Sequence, residues 1–259
     1  MHEHKQNQCK RKVKNRKNVV GLIIFCITVG IVFLYAYYQN LRKEIDARQK
    51  WLETDGKMGI YRKESGKLIY KEKADSEDGY LGMYLFLMGK YLEKTENTDL
   101  PEYWKKGISL ALKKIQSLMQ DGITQVSEEN TTVYLMDNLE VWKGLYELEL
   151  AGLEDTQAIS EIRKKIQKQI EKIFWDDVNQ RWRIIGNSDR YYQTEFYPDG
   201  VAQIYPLIYE FPVKEKKKQK VLYDQFTERF QWQKLNKKRT GFLWAMTGMA
   251  AAQMRDINN

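Results

Sequence analysis

The chain has almost no cysteine and almost no histidine. Of its 259 residues, two are cysteine and two are histidine. His2, His4 and Cys9 precede a long apolar run, and Cys26 lies within it. Everything after that run lacks both residue types. This excludes disulfides and thiol catalysis there. It also excludes Ser-His-Asp and Cys-His catalysis, and zinc held by histidine or cysteine. Proline is scarce too, at four residues, and no Ser/Gly-rich linker divides the chain. A single core of about 220 residues is therefore expected after the apolar run. Chemistry in that region must rest on carboxylates, tyrosines, lysines or the backbone, with no cofactor or metal required.

What is present begins with a basic tail. Lys5, Lys10, Arg11, Lys12, Lys14, Arg16 and Lys17 stand before the apolar run Val19–Tyr38, which carries no charge. About 20 apolar residues suffice to span a bilayer. Tyr35, Tyr37 and Tyr38 end the run with residues suited to the membrane–water interface. The run is longer than the roughly 7–15 apolar residues of a cleavable leader. The expectation is an uncleaved single-pass anchor. The excess of basic residues before it places the N-terminus in the cytoplasm and the rest outside. The tail also supplies about six of the formal +8 charges, which leaves the outer region near neutral and argues against nucleic acid as a partner. The expected organisation is a tail at 1–18, a membrane helix at 19–38, a helical linker at 39–57 and one domain at 58–259.

Within that domain, helical spacing dominates. Ile60, Tyr61, Leu68 and Ile69 flank a Glu-Ser-Gly turn and predict a hairpin. Leu81, Tyr84, Leu85, Met88 and Leu92 predict a helix from about Ser76–Asp78. Further helices are predicted at 101–119, with Pro101 in the first turn, and at 134–151, 157–174, 199–209, 215–230 and 241–254. Residues 175–184 read as a second small hairpin. The fold class is all-α, with helical hairpins and short β-hairpin insertions. Helical hairpins of this kind pack as bundles, solenoids or closed α/α rings.

Three segments place acids at helix starts beside aromatics. In ADSEDGYLGMYLFLM (74–88), Asp75, Glu77 and Asp78 crowd a helix N-terminus. They are helix caps or include a catalytic acid. In YLMDNLEVWKGLYEL (134–148), Asp137 and Glu140 share a helix face near Trp142. Asp137 is either a cap or a ligand for a polar substrate. In YYQTEFYPDGVAQIYPLIYEF (191–211), Tyr192, Glu195, Tyr197 and Asp199 surround a proline turn, and Asp199 is expected to cap the following helix. Acids beside Trp and Tyr suit carbohydrate. Sugars stack apolar faces on rings and bond hydroxyls to carboxylates. Glycoside hydrolysis generally needs two carboxylates and no histidine, thiol or metal.

The three segments, in this order, resemble those of the six-hairpin (α/α)6-toroid glycosidases, with the nearest likeness to glycoside hydrolase family 8. Ser76-Glu77 with Gly82-Met83 is similar to the family's Ser-Glu…Gly-Met opening. Asp137 with Glu140 resembles its acidic helix start, and Phe196-Tyr197-Pro198-Asp199-Gly200 looks like its later Tyr-Asp-Ala segment. The resemblance implies a toroid, complete or trimmed. It implies Glu77 as general acid, Asp199 as the base that activates water, and Asp137 as a substrate positioner. Asp78, Glu140, Trp142, Tyr192, Glu195 and Tyr197 would bind substrate.

The leading expectation is a membrane-anchored, extracytoplasmic glycoside hydrolase of inverting type. It would act on a cell-envelope polysaccharide or exopolysaccharide, beside synthesis or export machinery. A non-catalytic polysaccharide-binding protein of the same fold is the alternative, favoured by the short domain and by Gln203, where the resemblance calls for Arg. A tethered structural bundle with no sugar site is the third.

Overall fold

The computed structural model describes residues 39–40, 42–43, 45–46, 59–65, 67–95, 99–153, 156–186, 188, 195–212, 216–234 and 244–256. The chain forms two units, Met1–Asp46 and Ala47–Asn259. In the first, the described residues are helical. The expected anchor at 19–38 and the tail before it lie outside the described residues, as does most of the expected linker. Among the described residues, no helix is long and apolar enough to cross a membrane.

Among its described residues the second unit is mostly helical, with three short antiparallel hairpins. It opens with β1 (Gly59–Glu64) and β2 (Lys67–Lys73), paired from Gly59–Lys73 to Glu64–Lys67 around the predicted turn. Next come α1 (Glu77–Thr95) and α2 (Glu102–Leu118). A hairpin absent from the sequence reading follows, β3 (Met119–Gln120) with β4 (Ile123–Thr124). It is only two residues per strand, too short for any alternation to register. Then come α3 (Leu135–Leu150), α4 (Thr156–Phe174), and the predicted hairpin β5 (Trp175–Asp176) with β6 (Arg181–Trp182). A π-helical turn at Phe196–Gly200 leads into α5 (Val201–Ile208). The unit closes with α6 (Lys216–Phe230) and α7 (Trp244–Gln253).

The helices sort into two layers by burial. α2 and α4 each bury one stripe: Trp104, Ile108, Ala111, Ile115 and Leu118 on α2, and Ile159, Ile166, Ile170 and Phe174 on α4. Their other faces are charged, as expected for outer helices. α3 is buried nearly all round, including Lys143 and Glu147, which pair at 2.8 Å. α5 is also almost wholly buried, from Val201 to Ile208. α1, α3 and α5 therefore form the inner layer.

Glycine sets how closely the inner helices approach. A Cβ at Gly82 would meet the Val141 nitrogen at 2.5 Å, and one at Gly89 would meet the Glu147 carbonyl carbon at 2.6 Å. Gly144 faces the backbone of Gly82 more tightly still. The pairings Gly82–Val141 and Gly89–Glu147 advance together, so α1 and α3 run parallel. The outer helix α2 returns the chain between them. The helix start of α1 thereby lies beside that of α3.

Candidate functional site

The parallel start of α1 and α3 brings acids together. Ser76 caps α1: its Oγ accepts the Gly79 N–H at 3.2 Å. The same hydroxyl donates to Asp78 Oδ1 at 3.0 Å. A Cβ at Gly79 would lie 2.6 Å from Glu140 Oε2 and 3.5 Å from Asp137 Oδ1. The missing side chain at Gly79 is what lets two carboxyls from α3 reach the cap of α1. Those two oxygens are thereby held within about 6 Å of each other.

Each acid is held differently. Asp78 is fully buried, and Thr124 Oγ1 lies 2.7 Å from its Oδ2. Asn138 fixes that threonine. Its Oδ1 accepts the Thr124 N–H at 2.9 Å, and its amide donates to the carbonyls of Thr124 and Tyr134. Glu140 Oε1 accepts a hydrogen bond from the Tyr205 hydroxyl at 2.7 Å and lies 3.4 Å from that of Tyr209. Asp137 Oδ2 is buried with no hydrogen-bond partner among the described residues.

Burial raises the proton affinity of all three, and neighbouring charges add to it at Asp137 and Glu140. Burial pushes Asp78 up to about 6, against the pull of Thr124 and Ser76. Burial pushes Glu140 up to about 7, against its bond from Tyr205. Asp137 is raised well above the ordinary aspartate range, through burial first and then the charges of Asp78 and Glu140. Tyr205 and Tyr209 are raised in turn by burial and by the charge of Glu140. Tyr197 is half exposed, and its phenol is raised by burial and by the charges of Asp137, Asp75 and Glu140. Clusters of buried groups with displaced proton affinities are typical of reaction sites.

The other described site residues predicted from sequence are engaged by different neighbours. Glu77 points toward α2, where its carboxylate is 3.8 Å from the Lys114 ammonium, both side chains being nearly buried. Lys114 also pairs with Glu128 at 2.5 Å. Trp142 is 2% exposed, stacks on Tyr146 and meets Phe211 edge-on. The ring is engaged in core packing. Glu195 is exposed, and its backbone N–H donates to Asp199 Oδ2 at 3.1 Å. Asp199 is not the cap of α5: it sits inside the π-helical turn and bonds back to the residue that opens it. Tyr192 lies outside the described residues. Gln203 bridges the Trp182 backbone, accepting at 2.9 Å and donating at 2.9 Å. It ties α5 to β6.

Six participants escaped the sequence reading: Ser76 as cap and hydroxyl donor, Gly79 as the space for the carboxyls, Thr124 and Asn138 behind Asp78, and the Tyr205 and Tyr209 phenols. The phenols carried a signal, since an i, i+4 pair shares one helix face. Among the described residues, no group of His, Cys, Asp and Glu is arranged to hold a metal ion.

No protein-family model matches the chain, and no curated protein matches it. Solved structures do match, among them a crystal structure of D-mannose isomerase. It aligns over 84% of this chain with 11% identity and a TM-score of 0.43. The chain spans about half (51%) of that protein's length. At this similarity the likeness bears on neither substrate nor mechanism, and both are derived below from the chain's own residues.

Proposed function

We propose that this chain is a membrane-anchored carbohydrate-active enzyme, a glycoside hydrolase of toroid-like α/α build acting on an extracytoplasmic polysaccharide. The observation that carries the reading is the convergence of Asp78, Asp137 and Glu140 at the paired starts of two inner helices. Asp137, raised well above the ordinary aspartate range by burial, serves as the general acid to the leaving glycosidic oxygen. Glu140, half-ionised near neutrality, is the partner carboxylate. Asp78 keeps Asp137 protonated through its charge. Environments that push neighbouring acids apart in proton affinity are what acid/base division of labour requires. The bound of about 6 Å between Asp137 and Glu140 favours attack by Glu140 on the sugar, with retention, over activation of a water between them. Tyr197, half exposed, offers a ring face for stacking. The uncharged run at 19–38 and its basic flank support the anchor, with this unit outside the cytoplasm.

The test is reducing-end release from a panel of neutral polysaccharides by the full-length chain. Asp137→Asn and Glu140→Gln should each lower the rate by about 10²–10⁴-fold. Binding of a polysaccharide with no turnover by the unaltered chain would replace this reading with that of a binding or synthesis-accessory protein. The core position of Trp142 removes one expected stacking surface and counts against both sugar readings, toward a tethered bundle with no sugar site.

A further inference from the structure

A groove in the outer helix layer shares no residue with the acidic cluster. It lies between α2 and α4 and encloses about 610 Å³. Pockets that take one small molecule commonly measure about 300–1,000 Å³. On α2 it is lined by Lys105, Ile108, Ser109, Leu112, Lys113 and Gln116. At helical spacing these share one face of α2 and run about 16 Å along its axis. The facing wall is Ala158, Ile159 and Ile162 of α4.

Polarity is graded from floor to mouth. Ile108, Ile159 and the lining residue Leu100 are buried. Leu112 and Ile162 are half-buried, while Ser109, Lys113 and Gln116 are exposed. Both walls are helical, so their backbone N–H and C=O groups are used within the helices. A sugar or an extended peptide along the floor would press its polar groups against aliphatic carbon with no partner. A hydrocarbon chain would not. At the mouth, the lining contains lysines and no acid. Lys105 pairs with Glu102 at 2.9 Å. Lys113 has no hydrogen bond or ion pair among the described residues. One unpaired ammonium suits a head of a single negative charge. A carboxylate fits that count, whereas a phosphate monoester carries about −1.5 to −2.

We propose that this groove binds a single-chain anionic amphiphile, a long-chain fatty acid. Its hydrocarbon lies along the aliphatic floor, and its carboxylate meets Lys113 at the mouth. The site goes beyond the saccharide reading above and does not depend on it.

Photolabelling of the full-length chain in phosphatidylcholine vesicles tests this. The probe is palmitate with a diazirine at its methyl end, and adducts are located by peptide mass spectrometry. Adducts are expected within 100–116 and 153–162. Unlabelled palmitate should displace the probe about threefold or more better than hexadecanol, the scale set by one exposed charge pair. Ala158→Trp, at an exposed position on the groove wall, should remove these adducts while leaving the thermal melt in place. Lys113→Glu should reduce them about threefold or more and erase the preference over hexadecanol. Adducts confined to 19–38, equal displacement by hexadecanol, stronger displacement by hexadecyl phosphate, or indifference to Ala158→Trp would each overturn the proposal. So would labelling that fades as chains are crowded in the vesicle, because a second copy would then cover the groove. Groove adducts without any polysaccharide hydrolysis would defeat the proposed activity alone, and hydrolysis without groove adducts would defeat this inference alone.

Discussion

Glu140 and Tyr205 are joined by a 2.7 Å hydrogen bond from phenol to carboxylate, which ties α3 to α5 at the acidic cluster. The bond favours the ionised form of Glu140, yet burial outweighs it and leaves this acid near 7. Tyr205→Phe removes the donor without changing shape. Glu140 should then rise further, and the pH at which activity reaches half its maximum should move upward. A pH–rate profile of the variant checks this. An unmoved acid limb would mean that Glu140 does not set it.

Stability should run opposite to the common pattern at mildly acidic pH. Asp78, Asp137 and Glu140 titrate near 4 when unfolded and are all raised when folded. In that window the folded chain binds more protons than the unfolded one. Stability is therefore greatest below about 4 for these groups and is lost as pH rises through about 6 for Asp78 and about 7 for Glu140. Each raised unit costs about 1.4 kcal/mol once the group ionises. The melting temperature should be higher at pH 5 than at pH 8, and Asp137→Asn should flatten the difference. A melt that rises from pH 5 to pH 8 would contradict this assignment.

The helix layers were readable from sequence, and the site only in part. Leu81, Leu85, Met88 and Leu92 repeat at helical spacing because one face of α1 is core, so periodicity located that helix. The same logic located α2 and α4. Which acids converge depends on the register between α1 and α3, and that is set by backbone contact at Gly82, Gly89 and Gly144. Glycine leaves no side-chain pattern from which a register can be read. Glu77 and Asp78 are adjacent in sequence but lie about 100° apart on a helix, so one faces Lys114 and the other Thr124. The sequence reading ranked Glu77 first by resemblance. Asp199 was expected as a cap because Asp before a helix commonly caps. The π-helical turn shifts the helix start past it.

The glycine contact makes a direct stability prediction. Gly144→Ala would drive a methyl group into the Gly82 backbone. Backbone cannot swing aside as a side chain can, so the cost should reach about 3 kcal/mol or more. Gly152→Ala is the control. Gly152 has φ +70° and nothing within 4 Å of an added Cβ. It should lose only about 1 kcal/mol, from the left-handed backbone. Denaturant melts of the two variants should separate clearly. Equal losses would show that α1 and α3 do not meet through these glycines.

Asn138 supports the cluster without belonging to it. It is fully buried and engages the Thr124 N–H, the Thr124 carbonyl and the Tyr134 carbonyl. Asn138→Ala strands these backbone groups and releases the threonine that holds Asp78. The cost should be about 2–4 kcal/mol. Thr124→Val keeps the volume but removes the hydroxyl 2.7 Å from Asp78 Oδ2. It should raise Asp78 further, seen as an upward shift in its carboxyl titration by NMR.

Two carboxylate pairs now compete for the chemistry, and four conservative substitutions separate them. The resemblance assigns Glu77 and Asp199, whereas the geometry gathers Asp137 and Glu140. Glu77→Gln removes a charge from the Lys114 pair but leaves Lys114 its contact with Glu128. It should cost about 1–2 kcal/mol of stability. Asp199→Asn keeps an oxygen able to accept the Glu195 N–H. Neither change alters the enclosed acids at the starts of α1 and α3. On a neutral polysaccharide, Asp137→Asn and Glu140→Gln should lose about 10²–10⁴-fold in kcat, and Glu77→Gln and Asp199→Asn far less. The reverse order would return the chemistry to Glu77 and Asp199 and with it the inverting mechanism. Product stereochemistry gives an independent reading, because retention requires attack by a carboxylate and inversion requires attack by water. Retained anomeric configuration in the first-formed product is expected from Asp137 and Glu140 at their separation.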